Sequence, residues 1–239
     1  MNDTIRGFWI GSDLGFLEQA SIYSFLYHGY NYELYTYGGI GNIPSKVKLL
    51  DASEIYPKEK VFDTNILNIK NEFQLFSDMF RYKLLYEKGG WWADLDTICM
   101  KPLPEFKNFF LKDGDLNSIL IGMIKSEKNL PVMKDAYLLC ENTEPSNWYK
   151  NMYDFYDLVI KYGLEEYIYT NKNDFLGDHF DNPDNYNKTF LINKDVFCYH
   201  LRTTLIRINN IDISLENSRS FFSQIYKKYF PEGDTLKKS

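Results

Sequence analysis

FSDMFRYKLLYEKGGWWADLDTICM, residues 76–100, reads as a helix, a double-glycine stop and a short strand that carries two acids, Asp94 and Asp96, one residue apart. In extended backbone, residues i and i+2 point the same way. Trp92, Asp94 and Asp96 therefore fall on one side, and Trp91, Ala93, Leu95 and Thr97 on the other. Two carboxylates projecting together make a hard, anionic oxygen site. Such a site suits Mg²⁺ or Mn²⁺, with a substrate phosphate completing the coordination shell. Taken alone, D-x-D is a weak pattern, because neighbouring surface acids are common and merely solvated. The residues around it carry the reading.

The helix preceding the glycines spans about residues 72–87. Phe73, Phe76, Phe80 and Leu84 form one apolar stripe, and Leu75, Met79, Tyr82 and Tyr86 form another. A helix apolar over so much of its circumference is expected to be well buried. Its narrow polar face holds Gln74, Ser77, Asp78 and Arg81. Asp78 and Arg81, at i and i+3, make either an intrahelical ion pair or a face aimed at a ligand. Gly89-Gly90 offers a left-handed cap and permits close backbone approach.

Upstream, residues 6–10 (RGFWI) read as a buried strand stopped by Gly11-Ser12, and residues 14–28 have helical spacing with Gly29 at the stop. Residues 32–37 and 47–51 read as strands. This order predicts an α/β fold with a largely parallel central sheet flanked by helices. Downstream, residues 60–70 read as a loop, 106–111 and 118–124 as strands, and 148–162 as a helix. Asn129-Leu130-Pro131 opens a further helix to about Cys140. Residues 170–187 are polar and turn-rich, an active-site loop or a solvated connection. Residues 189–197 alternate like a strand, with His200 soon after. No internal repeat or interdomain linker is visible, so the 239 residues are read as one domain.

Composition narrows the function classes. A formal net charge of −6 argues against a nucleic-acid partner, which would want a basic face. Cys99, Cys140 and Cys198 are odd in number and form no C-x-x-C pair, which fits free thiols in a reducing compartment. The first residues carry charge and lack a signal-peptide core, and no run reaches the ~20 apolar residues that span a bilayer. The expectation is a soluble, cytoplasmic protein. The ending KKYFPEGDTLKKS, residues 227–239, reads as a peripheral membrane contact or a charged, frayed tail. Abundant tyrosine suits a sugar- or base-binding cleft, although residue usage inherited from genome composition is the better explanation.

The pattern F-S-D-x-F-R-Y-x-L-L-Y-x-x-G-G-W-W-x-D-x-D, residues 76–96, closely resembles the signature of DXD-containing glycosyltransferases of the GT-A fold. It is most similar to the branch that groups Och1-like mannosyltransferases, bacterial capsule and lipooligosaccharide transferases and clostridial glucosylating toxins. FWIGSDLGFLEQASIYSFLYHGYNYELYTY (residues 8–37) and IGMIKSEKNLPVMKDAYLLC (residues 121–140) resemble the same branch. The resemblance covers about residues 1–140, which would form the nucleotide-sugar and metal half. Residues 141–239 would form a smaller acceptor-side region.

That resemblance implies roles. Phe8 and Trp9 would meet the nucleotide base, with Trp9 the better stacking candidate. Asp78 and Arg81 would contact donor sugar and phosphates. Asp94 would touch the ribose and the metal's water shell, and Asp96 would bind the Mn²⁺ or Mg²⁺ directly. His200 would be a third metal ligand or a diphosphate contact, although HLRTTLIR stands where the family has a small residue and a tryptophan; a structural histidine is the alternative. His179 would be a ligand or acceptor contact. Asn117, Asp178 and Asp181 would lie near the anomeric carbon. The donor would be a nucleotide-diphosphate sugar, UDP-linked by family frequency or GDP-linked. The acceptor would be a glycan or lipid-linked glycan hydroxyl, attacked with retention of configuration. Two rivals use the same dyad. A sugar nucleotidyltransferase or hydrolase would want a Gly-rich phosphate loop, of which GSDLG (residues 11–15) is a faint version. A non-catalytic carbohydrate- or nucleotide-sugar-binding protein would tolerate a degenerate site, but both acid pairs here are intact.

Overall fold

The computed structural model describes residues 3–62, 72–177, 192–208, 210, 211, 213, 215 and 219–231. The chain begins β1 (Thr4–Trp9), α1 (Phe16–Tyr27), β2 (Asn31–Thr36), β3 (Val47–Asp51), α2 (Lys58–Phe62), α3 (Glu72–Lys88), β4 (Gly90–Ala93), β5 (Thr97–Cys99), β6 (Phe109–Lys112) and β7 (Ile119–Ser126). It continues α4 (Pro131–Glu141), α5 (Asn151–Lys161), β8 (Ile168–Tyr169), α6 (Lys172–Phe175), β9 (Leu176–Gly177), β10 (Cys198–His200), α7 (Thr203–Ile208) and α8 (Phe221–Tyr229).

Seven strands form the central sheet in the order β3-β2-β1-β4-β7-β6-β8. The β1–β2, β2–β3, β1–β4 and β6–β8 pairings are parallel, whereas β7 runs antiparallel to both β4 and β6. The sheet is thus mostly parallel, as expected. A small second sheet has the order β5-β10-β9.

Both faces of the large sheet are covered, and β4 shows how. Its neighbours Trp91 and Trp92 are fully buried in opposite cores. Trp92 packs with Tyr35, Phe80, Leu84, Phe110 and Phe155 beneath α3, α4 and α5. Trp91 packs with Ile5, Phe25, Tyr32, Leu34 and Phe109 on the α1 side. Burying each ring stabilises the fold by about 2–3 kcal/mol. A third core joins α1, the small sheet and α8 through Leu17, Ala20, Ile98, Tyr199, Ile206, Phe221 and Ile225.

Several expectations need correction. β4 ends at Ala93, so Asp94 and Asp96 are not carried by one strand. Residues 94–96 form a turn closed by Thr97 N–H donating to the Asp94 carbonyl at 3.0 Å. The cause is a change of sheet: β4 pairs with β7, whereas β5 leaves to pair with β10. Of the strand expected at 189–197, residues 189–191 lie outside the described residues, 192–197 form no strand, and β10 begins only at Cys198. Asn193 Oδ1 accepts from Asp195 N–H at 2.9 Å, an Asx turn that interrupts extended backbone just before it. The helix expected at 148–162 is a 3₁₀ segment, Pro145–Lys150, itself kinked at Asn147 (φ −107°, ψ 17°), followed by α5. Phe73 is 52% exposed and so lies outside the core that buries Leu75, Phe80 and Leu84 of the same helix. The segment read as a loop at 60–70 begins with the end of α2, and residues 63–70 lie outside the described residues, as does the 232–239 tail. No helix among the described residues is long and apolar enough to cross a membrane.

The two glycines before β4 have positive φ, +67° at Gly89 and +84° at Gly90, so α3 stops and reverses into the sheet within two residues. A Cβ on Gly89 would lie 2.7 Å from the Lys128 backbone nitrogen. Gly89→Ala therefore adds left-handed strain to a backbone clash and is expected to destabilise the protein by about 2–4 kcal/mol. Urea unfolding measures this, and a variant as stable as the native chain would refute the packing argument.

Candidate active site

Arg81 projects from α3 into the base of the turn and is 4% exposed. Its Nη2 donates to Asp94 Oδ1 at 3.0 Å and lies 3.3 Å from both Ser77 Oγ and Asp78 Oδ1. Nη1 donates to the Ile121 carbonyl of β7 at 2.9 Å. The guanidinium also lies over the Trp92 ring, 5.0 Å from its centroid. Trp92 Nε1 in turn donates to the same Asp94 Oδ1 at 2.7 Å. One carboxylate oxygen of Asp94 is therefore held by two donors, and the other, Oδ2, lies on the side of Gly122 and His200. Asp78, fully buried below, takes a 3.3 Å hydrogen bond from Asn151 Nδ2; burial outweighs Arg81 and pushes its carboxyl up to about 6. The Asp78–Arg81 ion pair is present, and it is shared with Asp94.

Asp96 is held from the C-terminal side. Its Oδ2 accepts from Thr203 N–H at 3.0 Å and Thr203 Oγ1 at 3.1 Å, and its backbone carbonyl accepts from Leu201 N–H at 2.8 Å. His200 Nε2 stands 3.1 Å from Oδ1. Helix α1 braces the following strand: Ser21 Oγ donates to the Thr97 carbonyl at 2.7 Å, and Ser24 Oγ accepts from Cys99 N–H at 2.8 Å. Glu18, one turn earlier, is 6% exposed and stands 3.4 Å from Arg207 Nη2 of α7. Burial raises its carboxyl, and the nearby Asp96 adds to the effect.

Each acid of the dyad thus has one oxygen tied down and one presented. One ligand atom each from Asp94, Asp96 and His200 lie within 4.8 Å of one another, the one such cluster found among the described residues. Two carboxylate oxygens and one imidazole nitrogen fit a small divalent cation of the Mg²⁺/Mn²⁺ kind. Burial raises the Asp94 carboxyl despite Arg81. Burial alone would also raise Asp96, but the charge of His200 and the hydrogen bonds from His200 and Thr203 hold it well below the usual carboxylate range. His200, disfavoured as a cation by burial, is raised on balance by Asp96.

The other expected residues lie at varying distance from this cluster. Trp9 is half-buried at the C-terminal end of β1, its Nε1 donating to the Asp13 carbonyl at 3.1 Å. Phe8 stacks on Phe80 with centroids 4.2 Å apart and packs against the α3-side core. Asn117 is exposed in the turn at 113–118, before β7. Asp178, His179 and Asp181 lie outside the described residues. Thr203, Trp92 as a hydrogen-bond donor, and the serines of α1 were not foreseen. Only Trp92 left a signal, its place on the same side as the acids; Thr203 meets Asp96 across 107 residues of sequence.

Arg81→Met leaves Asp78 and Asp94 buried without their shared cation and is expected to cost about 3–5 kcal/mol in urea unfolding. A loss under about 1 kcal/mol would show that the pair is not cooperative. For His200, raised by Asp96, the sign is fixed: its contribution is complete below the ordinary imidazole value and is lost as pH rises through the raised one. Without added metal, the stability difference between the native protein and His200→Gln should shrink as pH rises above the ordinary imidazole value. A difference that grows with pH would overturn the assignment of the pair.

Residues 29–122 match a family model described as a glycosyltransferase sugar-binding region containing a DXD motif. The matched segment includes Arg81, Asp94 and Asp96. The solved structure described as PaToxG Glycosyltransferase is similar over 67% of this chain and 69% of that one, with a TM-score of 0.50 and 17% identity. At that identity the likeness concerns the fold. No curated protein matches the chain. The turn that carries the two acids thus lies within the segment that is similar to a DXD-containing glycosyltransferase sugar-binding region, and it is set in a GT-A-type fold.

Proposed function

We propose that the protein is a glycosyltransferase that takes its sugar from a nucleotide-diphosphate donor, UDP-linked in the first instance, and passes it to a hydroxyl of a glycan or lipid-linked glycan, as in the building of a surface polysaccharide. The observation that carries the reading is the paired presentation of Asp94 and Asp96, each with one oxygen fixed by the protein and the other turned toward the cluster with His200. Asp94, Asp96 and His200 would hold Mn²⁺ or Mg²⁺. When bound, the divalent cation supplies positive charge to the departing diphosphate as the glycosidic bond breaks.

The chain's own residues have distinct tasks. Arg81 and Trp92 act through Asp94, fixing its rotamer and keeping one oxygen occupied. Thr203 does the same for Asp96 and favours its ionised form. His200 must give up its proton to serve as a ligand. Trp9, at the end of β1, offers a ring for the base to stack on. Residues 1–140 would bind the donor and 141–239 the acceptor. Retention of configuration, with front-face attack by the acceptor hydroxyl, is proposed from the family resemblance.

Asp96→Asn tests the proposal. The amide can still accept from Thr203 but gives up the charge that pairs with His200, so unfolding without metal is expected to lose about 1–3 kcal/mol while the chain stays folded. Mn²⁺ binding in calorimetry should weaken sharply, and release of nucleotide from UDP- or GDP-sugars should fall about 100-fold or more. Near-native turnover in this variant, or donor binding that ignores Mn²⁺, would overturn the metal-dependent reading.

A further inference from the structure

Strand β7 (ILIGMIKS) is buried along most of its length, and its one glycine is half-exposed in the middle. Gly122 has no positive φ, so its backbone does not call for glycine. Glycine inside a strand weakens it, and such a position often marks close approach by another group. A Cβ built there would lie 3.2 Å from Asp94 Oδ2 and 3.4 Å from His200 Cε1. These atoms belong to the presented carboxylate oxygen and to the imidazole of the cluster. Gly7 of β1 makes a useful contrast. Its Cβ would meet Tyr32 Oη at 2.9 Å and Leu95 Cδ1 at 3.0 Å, so packing of the core accounts for that glycine. Core packing does not account for Gly122.

The backbone around Gly122 is also fixed to the site. Its carbonyl accepts from Asp94 N–H at 2.8 Å, and the carbonyl of Ile121 accepts from Arg81 Nη1 at 2.9 Å. A side chain at position 122 could not swing away from the dyad without breaking these bonds. From this geometry we infer that Gly122 is the clearance position of the donor site: the side chain is absent so that the diphosphate of a nucleotide sugar can lie against the strand beside Asp94 Oδ2 and His200. The inference rests on the donor class proposed above and adds the residue that sets how closely the donor approaches.

Calorimetry with UDP in the presence of Mn²⁺, and with Mn²⁺ alone, tests it on the native chain, Gly122→Ala and Gly122→Val. Strand propensity favours Ala and Val while the 3.2 Å approach to Asp94 Oδ2 opposes them, so the melting midpoint of Gly122→Ala should stay close to the native one. UDP affinity should drop about tenfold in Gly122→Ala and beyond detection in Gly122→Val, while Mn²⁺ alone binds Gly122→Ala within about threefold of native. UDP affinity within about twofold of native in Gly122→Ala would overturn the inference and leave the proposed function standing. An equal loss of Mn²⁺ and UDP affinity would also overturn it, since the methyl would then have displaced Asp94. A native chain that binds neither UDP nor GDP with Mn²⁺ would remove the proposed function and this inference together. Should Gly122→Val fail to fold, Gly122→Ala decides alone.

Discussion

The buried guanidinium of Arg81 is the interaction on which the site depends. A charge sealed from water is costly unless it is paired and hydrogen-bonded, and this one has Asp78 and Asp94 as counterions, a β7 carbonyl as acceptor and the Trp92 face beneath it. Those partners come from α3, β4, the turn after β4, and β7. The requirement to satisfy one cation therefore positions a helix, two strands and the first acid of the dyad at once. Because Trp92 also donates to Asp94, the aromatic core and the polar site share a residue. Packing and chemistry are not separable at this point of the molecule.

Much of this was legible in local sequence. Residues 72–88 announced a helix by apolar spacing, and Gly89-Gly90 announced its end. Both readings rest on forces acting within a few residues. The first three strands and α1 were likewise visible in local pattern: an apolar run at residues 6–10, alternation at 32–37 and helical spacing at 14–28. The alternation argument did place Asp94 and Trp92 together, and their hydrogen bond agrees with it.

Where local reading failed, a long-range partner decided. Asp94 and Asp96 look like one strand in sequence, but the strand is cut because β7 and β10 compete for successive segments and each wins one. Thr203 resembles an ordinary threonine until the chain returns to put its N–H and hydroxyl on Asp96. In the described part of the strand expected at 189–197, an Asx turn from Asn193 to Asp195 takes its place, a side chain there satisfying backbone that a ladder would otherwise hold. Gly122 passed unremarked in an apolar run, since its meaning lies in which atoms face its missing side chain.

The change of sheet between Ala93 and Thr97 has a mechanical consequence. Asp94 is anchored by Arg81, Trp92 and the carbonyl of Gly122, all parts of the large sheet and its helices, whereas Asp96 is anchored by Leu201 and Thr203, which follow the small one. The two acids are near neighbours in sequence, yet each is anchored to a different sheet. A ligand that engages both gains affinity only from the arrangement in which the turn holds the two carboxylates side by side, and by mass action it stabilises that arrangement in return.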